Sequence, residues 1–449
     1  MRNRVLNAAA ALVCTAVMLC ATATTNANAL ESPLVVDRAT EAGINLGPTP
    51  TWDICKGDWN GDGSDDVAIT RHMLYEGALF TQNSTGAFNR TLTGTIMPKV
   101  VRKTAPKHTG VDRHACVMAD FDRNGRMDLY TTAGRYASNR LKHAEIDNEL
   151  WMQQTDGTVV DMAIAAGVNE PCHRSRYAVT TDWNGDGWTD LFVGAQVERA
   201  DTADVCNTMT GYPYLEQSHV YLNKGDSGDG VWDGFREAPE FNVSTKNVGS
   251  AMAIEWDQNR DGRPDLLSLS FSDTKPLLFR NNAYSSFTEV SQTAGIKLPK
   301  MNYAAIGDVT GDGRDDLVYT DNTGLYYRAS TASGISTVVV RISTLASNAD
   351  GKHVALGDVD GDGDVDVYGQ TSGTTGNPDD VLYLNNGANA TAASFMALPV
   401  PSAVGASNDV AAITINGLTQ FVVTNGGNEE KEEFGPVQLI ALTSDTGGS

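Results

Sequence analysis

The chain has 449 residues and a formal net charge of −23, with 56 acidic residues against 33 basic ones. This acidity argues against nucleic acid as a partner, because phosphate backbones bind surfaces rich in Lys and Arg. No segment beyond the N-terminal one is apolar for long enough to span a bilayer, so no membrane insertion is predicted.

The first residues have the features of a secretory signal peptide. Arg2 and Arg4 precede a largely apolar run, and Ala-Asn-Ala at 27–29 has the small-x-small form of a signal peptidase site. The sequence therefore predicts a signal peptide at 1–29, a mature chain at 30–449 and secretion.

An acidic motif recurs six times, at 58–66, 120–128, 182–190, 257–265, 308–316 and 358–366. Each copy has Asp at positions one and nine, an oxygen-bearing side chain at three and five, and Gly at six, where the backbone must turn sharply. The sixth copy, DVDGDGDVD, places carboxylates on five alternate residues, a donor set suited to calcium. Position twelve never carries the Glu of an EF-hand, so that motif is excluded.

The side chains at positions one, three, five and nine and the main-chain carbonyl at position seven are the predicted metal ligands, and up to six calcium ions are expected. These residues are Asp58, Asn60, Asp62, Ser64, Asp66, Asp120, Asp122, Asn124, Arg126, Asp128, Asp182, Asn184, Asp186, Trp188, Asp190, Asp257, Asn259, Asp261, Arg263, Asp265, Asp308, Thr310, Asp312, Arg314, Asp316, Asp358, Asp360, Asp362, Asp364 and Asp366. Because Thr310 offers a neutral hydroxyl where the sixth loop has a carboxylate, we expect calcium to bind more weakly to the fifth loop.

The segments between the loops are predicted to form short strands. Successive loops start 50 to 75 residues apart, and each period holds four strand-like runs, A to D, with the loop between A and B. Such periods suit the four-stranded blade of a β-propeller.

A seventh blade is predicted from the two ends of the chain. The segment 408–443 has three strand-like runs with a tight Asn416-Gly417 turn in place of a metal loop, and 33–46 is similar to the fourth strands of other copies. Pairing these two segments closes the ring and leaves no open sheet edge. The predicted fold is all-β, a single seven-bladed β-propeller over 30–449.

The loops and their flanking strands resemble FG-GAP or VCBS repeats, which occur in integrin alpha-subunit propellers and in many secreted bacterial proteins. The resemblance covers almost the whole mature chain. In that family the A–B loops lie on the lower rim and bind calcium, so the resemblance implies a calcium-stabilised propeller.

With these loops below, the B–C loops and the links between blades emerge on the opposite, upper face. Between Lys99 and Arg176 basic residues outnumber acidic ones, and those expected on the upper face are Arg102, Lys103, Lys107, Arg113, Arg135, Arg140, Lys142, Arg174 and Arg176. Arginine forks and aromatic rings suit an anionic or polyhydroxylated ligand. The candidate ligand-binding residues are Arg135, Tyr136, Arg140, His143, His173, Arg174 and Arg176. Alternatively, these charges pair with surrounding acids in solvated loops.

The sequence favours a binding module for a carbohydrate or other extracellular ligand. The alternatives are a protein-interaction or adhesion module and a polysaccharide lyase or another secreted glycan-degrading enzyme. Arg135, Tyr136 and His143 would suffice chemically for a lyase. However, no spacing fixes them together and no hydrolase, metalloprotease or phosphate-binding motif is present, so catalysis is the minority interpretation.

Four cysteines remain in the mature chain: Cys55, Cys116, Cys172 and Cys206. Secretion permits disulfides, and four thiols allow three pairings among which the sequence does not choose. The favoured pair is Cys172 with Cys206, which would lie on the upper face and pin the insertion of the third blade.

Overall fold

The structure is a computed structural model. The residues that it describes are 33–72, 76–91, 96–98, 112–134, 147–170, 173–196, 218–241, 243, 250, 252–270, 276–293, 295–344, 349–373, 380–387, 391, 394–427 and 434–443.

Almost all regular structure in these residues is β-strand. The first half of the chain contains β1 (Leu34–Asp37), α1 (Ala39–Ala42), β2 (Thr51–Gly57), β3 (Asp66–Arg71), β4 (Ala78–Gln82), β5 (Phe88–Thr91), β6 (Arg113–Ala119), β7 (Asp128–Ala133), β8 (Glu149–Gln153), β9 (Val159–Asp161), α2 (Ala163–Ala166), β10 (Ser175–Thr181), β11 (Asp190–Ala195), β12 (His219–Asn223) and β13 (Phe235–Glu237). The second half contains β14 (Met252–Trp256), β15 (Asp265–Leu269), β16 (Leu277–Asn281), β17 (Phe287–Glu289), β18 (Tyr303–Gly307), β19 (Asp316–Thr320), β20 (Gly324–Arg328), β21 (Ser330–Thr331), β22 (Gly334–Ile335), β23 (Val340–Thr344), β24 (Ala349–Gly357), β25 (Asp366–Gly373), β26 (Val381–Asn385), β27 (Phe395–Pro399), β28 (Asp409–Ile415), β29 (Leu418–Thr424) and β30 (Gln438–Thr443).

All the strands but β21 and β22 form seven four-stranded antiparallel sheets, the blades of a β-propeller, and β21 and β22 pair with each other in a separate two-stranded sheet. Blades 1 to 7 have the strand orders β2-β3-β4-β5, β6-β7-β8-β9, β10-β11-β12-β13, β14-β15-β16-β17, β18-β19-β20-β23, β24-β25-β26-β27 and β28-β29-β30-β1. The first strands of neighbouring blades contact one another around a closed ring, from β2 through β28 and back to β2. The predicted seven-bladed, all-β fold is confirmed.

The seventh blade is closed by the N-terminal strand, as predicted. β1 pairs antiparallel with β30, with Leu34 opposite Thr443 and Asp37 opposite Ile440. A short helical turn follows β1, and Gly43 ends it in the left-handed conformation, as Gly167 ends the turn that follows β9 in blade 2. The N-terminal segment therefore has the local structure of an ordinary fourth strand.

The hydrophobic core is divided among the interfaces between blades. Second strands such as β3, β7 and β11 consist entirely of buried residues, because each is covered on both faces by neighbouring blades. Within the described residues, seven apolar clusters each join two adjacent blades. At the closing junction Ile54 and Phe80 of blade 1 pack with Ile413 and Leu439 of blade 7. Each such buried side chain contributes roughly 1.5–3 kcal/mol, so the ring is held at every junction.

A disulfide links the inner strands of blades 1 and 2. Cys55 of β2 bonds Cys116 of β6 across a Cα–Cα distance of 5.5 Å. This pair is compatible with the favoured pairing of Cys172 with Cys206, two residues that lie outside the described part of the chain. In the described part, no helix is long and apolar enough to cross a membrane.

Candidate functional site

The six acidic loops all connect the first strand of a blade to the second, so they lie on one face, the lower face. The carboxylate of the position-one aspartate bends each loop by accepting the N–H of the position-six glycine. In the sixth loop Asp358 Oδ2 accepts from Gly363 at 3.1 Å, and Asp362 Oδ1 accepts the N–H of Asp364 at 2.9 Å. These bonds leave side-chain oxygens to converge on the inside of the turn.

The position-nine aspartate joins each loop to the rest of its blade. One of its oxygens accepts, at 2.7–2.9 Å, the main-chain N–H of the last residue of the third strand or, in blade 5, of Ser330, two residues after that strand. These six carboxylates are buried, and burial raises their pKa values despite the hydrogen bonds. The pKa is raised to about 6 for Asp66, Asp265 and Asp316, about 7 for Asp190 and Asp366, and about 8 for Asp128.

The donor set of the loops fits a hard cation. In the second and sixth loops, where position three is also an aspartate, the carboxylates at positions one, three and nine have oxygens within 4.8 Å of one another. Calcium takes six or more oxygen ligands from carboxylates, amides, carbonyls and water. A cation would also offset the repulsion between these carboxylates. Calcium occupancy stays a prediction.

A second feature of the lower face, not predicted from the sequence, is an amide bridge between neighbouring blades. Asn385 at the end of β26 donates from Nδ2 to the carbonyl of Val309 in the preceding loop at 2.9 Å and to Val365 in its own loop at 3.2 Å. The equivalent amides of Gln153, Asn223 and Asn281 reach the preceding loops in the same way. We call this contact the inter-blade amide bridge. The sequence did contain a signal for this bridge, because most third strands end in Asn or Gln.

On the upper face, residues from three blades form a compact polar group that we call the His72 cluster. Its members are Trp52, His72, Asp112, His114 and Arg176. The Trp52 and His72 rings stack at 3.8 Å with an interplanar angle of 9°. His72 Nε2 lies 3.1 Å from His114 Nε2 and 3.3 Å from Asp112 Oδ1, and Arg176 contacts the His114 ring from β10. Blades 1, 2 and 3 therefore meet at this cluster.

The charges of the His72 cluster determine its protonation. Burial alone would raise the pKa of Asp112, but the interactions of its carboxylate with His72, His114 and Arg176 outweigh burial and hold that pKa below its usual range. Burial and the Arg176 guanidinium hold the pKa of His114 well below its usual value. At neutral pH the cluster therefore contains an ionised carboxylate and a neutral His114.

A second polar group, the Glu170 cluster, lies between blades 2 and 3. Its members are Glu170, His173, Ser175, His219 and Tyr221. His219 Nδ1 lies 2.6 Å from Glu170 Oε1, and the Tyr221 hydroxyl donates to the same oxygen at 2.5 Å. His173 Nδ1 lies 3.8 Å from Glu170 Oε2 and 2.9 Å from Ser175 Oγ. Burial opposes ionisation of Glu170, but the two imidazoles and the Tyr221 hydroxyl lower its pKa to about 2.

The predicted ligand-binding residues are only partly described. Arg135, Tyr136, Arg140 and His143 lie outside the described residues, as do Arg102, Lys103, Lys107 and Lys142. The other three, His173, Arg174 and Arg176, lie at the upper end of β10 as expected, with His173 buried and the two arginines half-buried. Arg176 and His173 belong to different clusters, so β10 contributes to both.

One basic residue expected on the upper face is turned inward. Arg113 is 1% exposed, and its guanidinium forms two hydrogen bonds of 2.7 Å with the Glu149 carboxylate. It is therefore part of the core of blade 2 and is not available to a ligand.

Seven residues of the two clusters were missed from the sequence: Trp52, His72, Asp112, Glu170, Ser175, His219 and Tyr221. Each lies at, or within a few residues of, the upper end of a strand. The strand pattern around the loops could have found them, because it already placed those strand ends on the upper face.

The fold and the acidic loops define a class, β-propellers whose first and second strands are joined by acidic loops. Three regions of the chain, 58–131, 257–319 and 308–369, match the FG-GAP-like repeat. These three regions of the chain therefore contain FG-GAP-like repeats.

Two comparisons with individual proteins accompany this assignment. Cartilage acidic protein 1 of Mus musculus is 26% identical over 158 residues, covering 30% of this chain and 24% of that protein, so the match spans about a quarter of the relative's length. The solved structure of an Agrocybe aegerita lectin that recognises non-reducing terminal N-acetylglucosamine aligns over 90% of this chain and 87% of its own, with 14% identity and a TM-score of 0.48. With so low a score, this likeness does not bear on the function of the present chain.

Proposed function

We propose that this chain is a secreted, calcium-stabilised binding module whose ligand, a carbohydrate or another extracellular molecule, docks on the upper face over blades 1 to 3. The observation that carries the proposal is the His72 cluster. Trp52 and Arg176 are its partly exposed members. An indole ring offers a flat apolar surface to a sugar ring, and a guanidinium binds carboxylate or sulfate groups through paired hydrogen bonds.

The His72 cluster is not required by the fold of the repeated blade. The main-chain N–H of His72 donates to the carbonyl of the residue that precedes the first strand of blade 1. The residues that make the same main-chain bond in blades 2 and 3 are Gly134 and Gln196. Burying a carboxylate, two imidazoles and part of a guanidinium is costly compared with apolar packing. A group that costs stability and is not required by the fold supports a role in recognition.

Calcium is proposed at the six loops of the lower face, on the opposite side from the ligand. Each ion would offset the repulsion among clustered carboxylates and fix the turn between the first two strands. An ion that binds only the folded chain stabilises it by mass action. The proposed role of calcium is therefore structural, and ligand binding would depend on it through the integrity of the blades.

Secretion is proposed on two grounds. The N-terminal residues predict a signal peptide, and the Cys55–Cys116 bond is of a kind that persists in oxidising compartments.

Native affinity electrophoresis tests the binding function. The mature protein is run through gels that contain individual neutral or acidic polysaccharides, with calcium and with chelator. We expect retardation by at least one polysaccharide in calcium. Trp52→Ala and Arg176→Gln should each weaken it at least about tenfold, because buried aromatic and arginine contacts dominate binding energies.

Tyr284→Ala is the matched control, because it removes an aromatic ring that is 38% exposed on the lower face. Equal loss of binding in the control and in Trp52→Ala would contradict the assignment to the upper face. Free migration in every gel would contradict a carbohydrate ligand and direct the search to protein partners by pull-down. Clearing of the gel polymer would identify a glycan-degrading enzyme.

A further inference from the structure

The Glu170 cluster contains the donor atoms of a transition-metal site. The three residues Glu170, His173 and His219 bring a carboxylate oxygen and one ring nitrogen from each histidine within 4.8 Å of one another. Two imidazoles with one carboxylate suit zinc, iron, cobalt or nickel, whereas calcium prefers an all-oxygen set. The cluster thus differs in chemistry from the six acidic loops.

The distances between the donor atoms of the cluster are of the order found in a metal centre. Zinc bonds to nitrogen or oxygen are about 2.0–2.2 Å long, so the ligand atoms of a tetrahedral site lie about 3.3 Å apart. The two carboxylate-to-imidazole distances in the cluster are 2.6 Å and 3.8 Å, which lie on either side of that value.

The surroundings of the cluster hold the three side chains in place. Glu170 and His173 are buried, the Tyr221 hydroxyl donates to Glu170 Oε1, and Ser175 Oγ lies 2.9 Å from His173 Nδ1. Glu170 also has a φ of 48°, a left-handed conformation that is uncommon for a residue other than glycine.

We propose that Glu170, His173 and His219 bind one divalent transition-metal ion of the zinc class, with a fourth position left to water or to an external ligand. The ion would connect the link between blades 2 and 3 to β12, the third strand of blade 3. The His72 cluster has a similar set of donors, but the Arg176 guanidinium contacts His114 there and would repel a cation.

Zinc titration of the mature protein tests this site. The protein is stripped of metals, saturated with calcium, and titrated with Zn²⁺ in competition with a chromophoric chelator. We expect one tightly bound zinc per chain, and Co²⁺ should give the visible absorption of a four- or five-coordinate site. His219→Gln and Glu170→Gln should each weaken zinc binding at least about 100-fold, since loss of a direct ligand exceeds the 10- to 100-fold effect of losing an outer partner.

The matched control is His72→Gln, which removes one histidine from the other cluster and should leave zinc binding unchanged. Binding that disappears in His72→Gln and persists in His219→Gln would overturn the proposal, as would equal binding in all variants. Absence of tight zinc binding by the calcium-saturated protein would show that the cluster is an ion-paired structural group. If either variant fails to fold, as judged by circular dichroism, His173→Gln takes its place, and the cobalt spectrum of the unaltered protein remains decisive.

Discussion

Replacing Asn385 by Ala should weaken the junction between blades 5 and 6. The side chain is 1% exposed and makes two hydrogen bonds from Nδ2, to the carbonyls of Val309 and Val365. The main-chain N–H of residue 385 keeps its bond to Asp366 in the variant. Only the inter-blade amide bridge is therefore removed.

The expected loss of stability follows from the carbonyls of Val309 and Val365, which lose their hydrogen-bond donor in the variant. A buried polar group without a partner costs about 1–3 kcal/mol. Water can reach these carbonyls in part at the edge of the propeller. The free energy of unfolding therefore falls by about 3 kcal/mol, about the cost of one well-buried unsatisfied group. Unfolding entropy is about 2.1 cal/mol/K per residue, so for a chain of this length the loss lowers Tm by about 3 °C if unfolding is cooperative.

The assay is thermal and urea unfolding in saturating calcium, with Asn386→Ala as control. Asn386 is the same residue type at the next position, but it is exposed and its amide makes one bond of 3.3 Å, to the Leu384 carbonyl. Its replacement should change stability by less than about 0.5 kcal/mol. Equal Tm values for the two variants would refute the claim that the bridge stabilises the junction.

Blade 5 offers the converse experiment. Its equivalent residue is Ser330, whose hydroxyl bonds to Asp315 in its own loop but is too short to form the bridge. Ser330 lines a cavity of about 360 Å³ between blades 4 and 5, where the bridge would lie. Ser330→Asn should place an amide near the carbonyl of Gln258 and raise stability by about 1 kcal/mol. A loss of stability would show that this junction has repacked around the smaller side chain.

Three further predictions concern calcium and pH. Chelation should lower Tm sharply because six clusters of carboxylates lose their counter-ions, and an unchanged Tm would rule out calcium at the loops. Thr310→Asp should increase the calcium affinity of the fifth loop, measured by titration, since it restores the carboxylate found in the sixth. Asp53→Asn should stabilise the protein more at pH 8 than at pH 4. Burial and the neighbouring Asp409 raise the pKa of Asp53 well above its ordinary value of 3.8, so stability from its protonated form is complete below that value and is lost as pH rises. Urea unfolding at the two pH values measures the difference between variant and wild type, and an equal difference would contradict the raised pKa.

The parts of the fold that could be predicted are those determined by residues close to one another in the sequence. In the N-terminal segment Asp37 accepts the N–H groups of Ala39 and Leu439, and the equivalent Asp161 of blade 2 accepts those of Ala163 and Leu150. The same short-range chemistry appears in both segments, so similarity of sequence was enough to identify the closing strand. The acidic loops were recognisable for the same reason.

The upper-face clusters were not predictable because their members are distant in sequence. His72 follows the second strand of blade 1, whereas Asp112 precedes the first strand of blade 2, and their contact depends on how adjacent blades are oriented. The inter-blade amide bridge has the same origin, since Asn385 reaches a carbonyl 76 positions away. A single sequence defines the blade, but it does not define which residues of neighbouring blades meet.

The two faces of the propeller therefore have different constraints. On the lower face the same aspartate and, in most blades, the same amide bridge recur, because each junction between neighbouring loops is built alike. On the upper face, equivalent positions hold His72, Gly134 and Gln196, which share no chemistry. A position that the fold does not constrain is free to serve recognition, while a repeated polar contact is retained for stability. This contrast is the physical reason for placing calcium on one face and the ligand on the other.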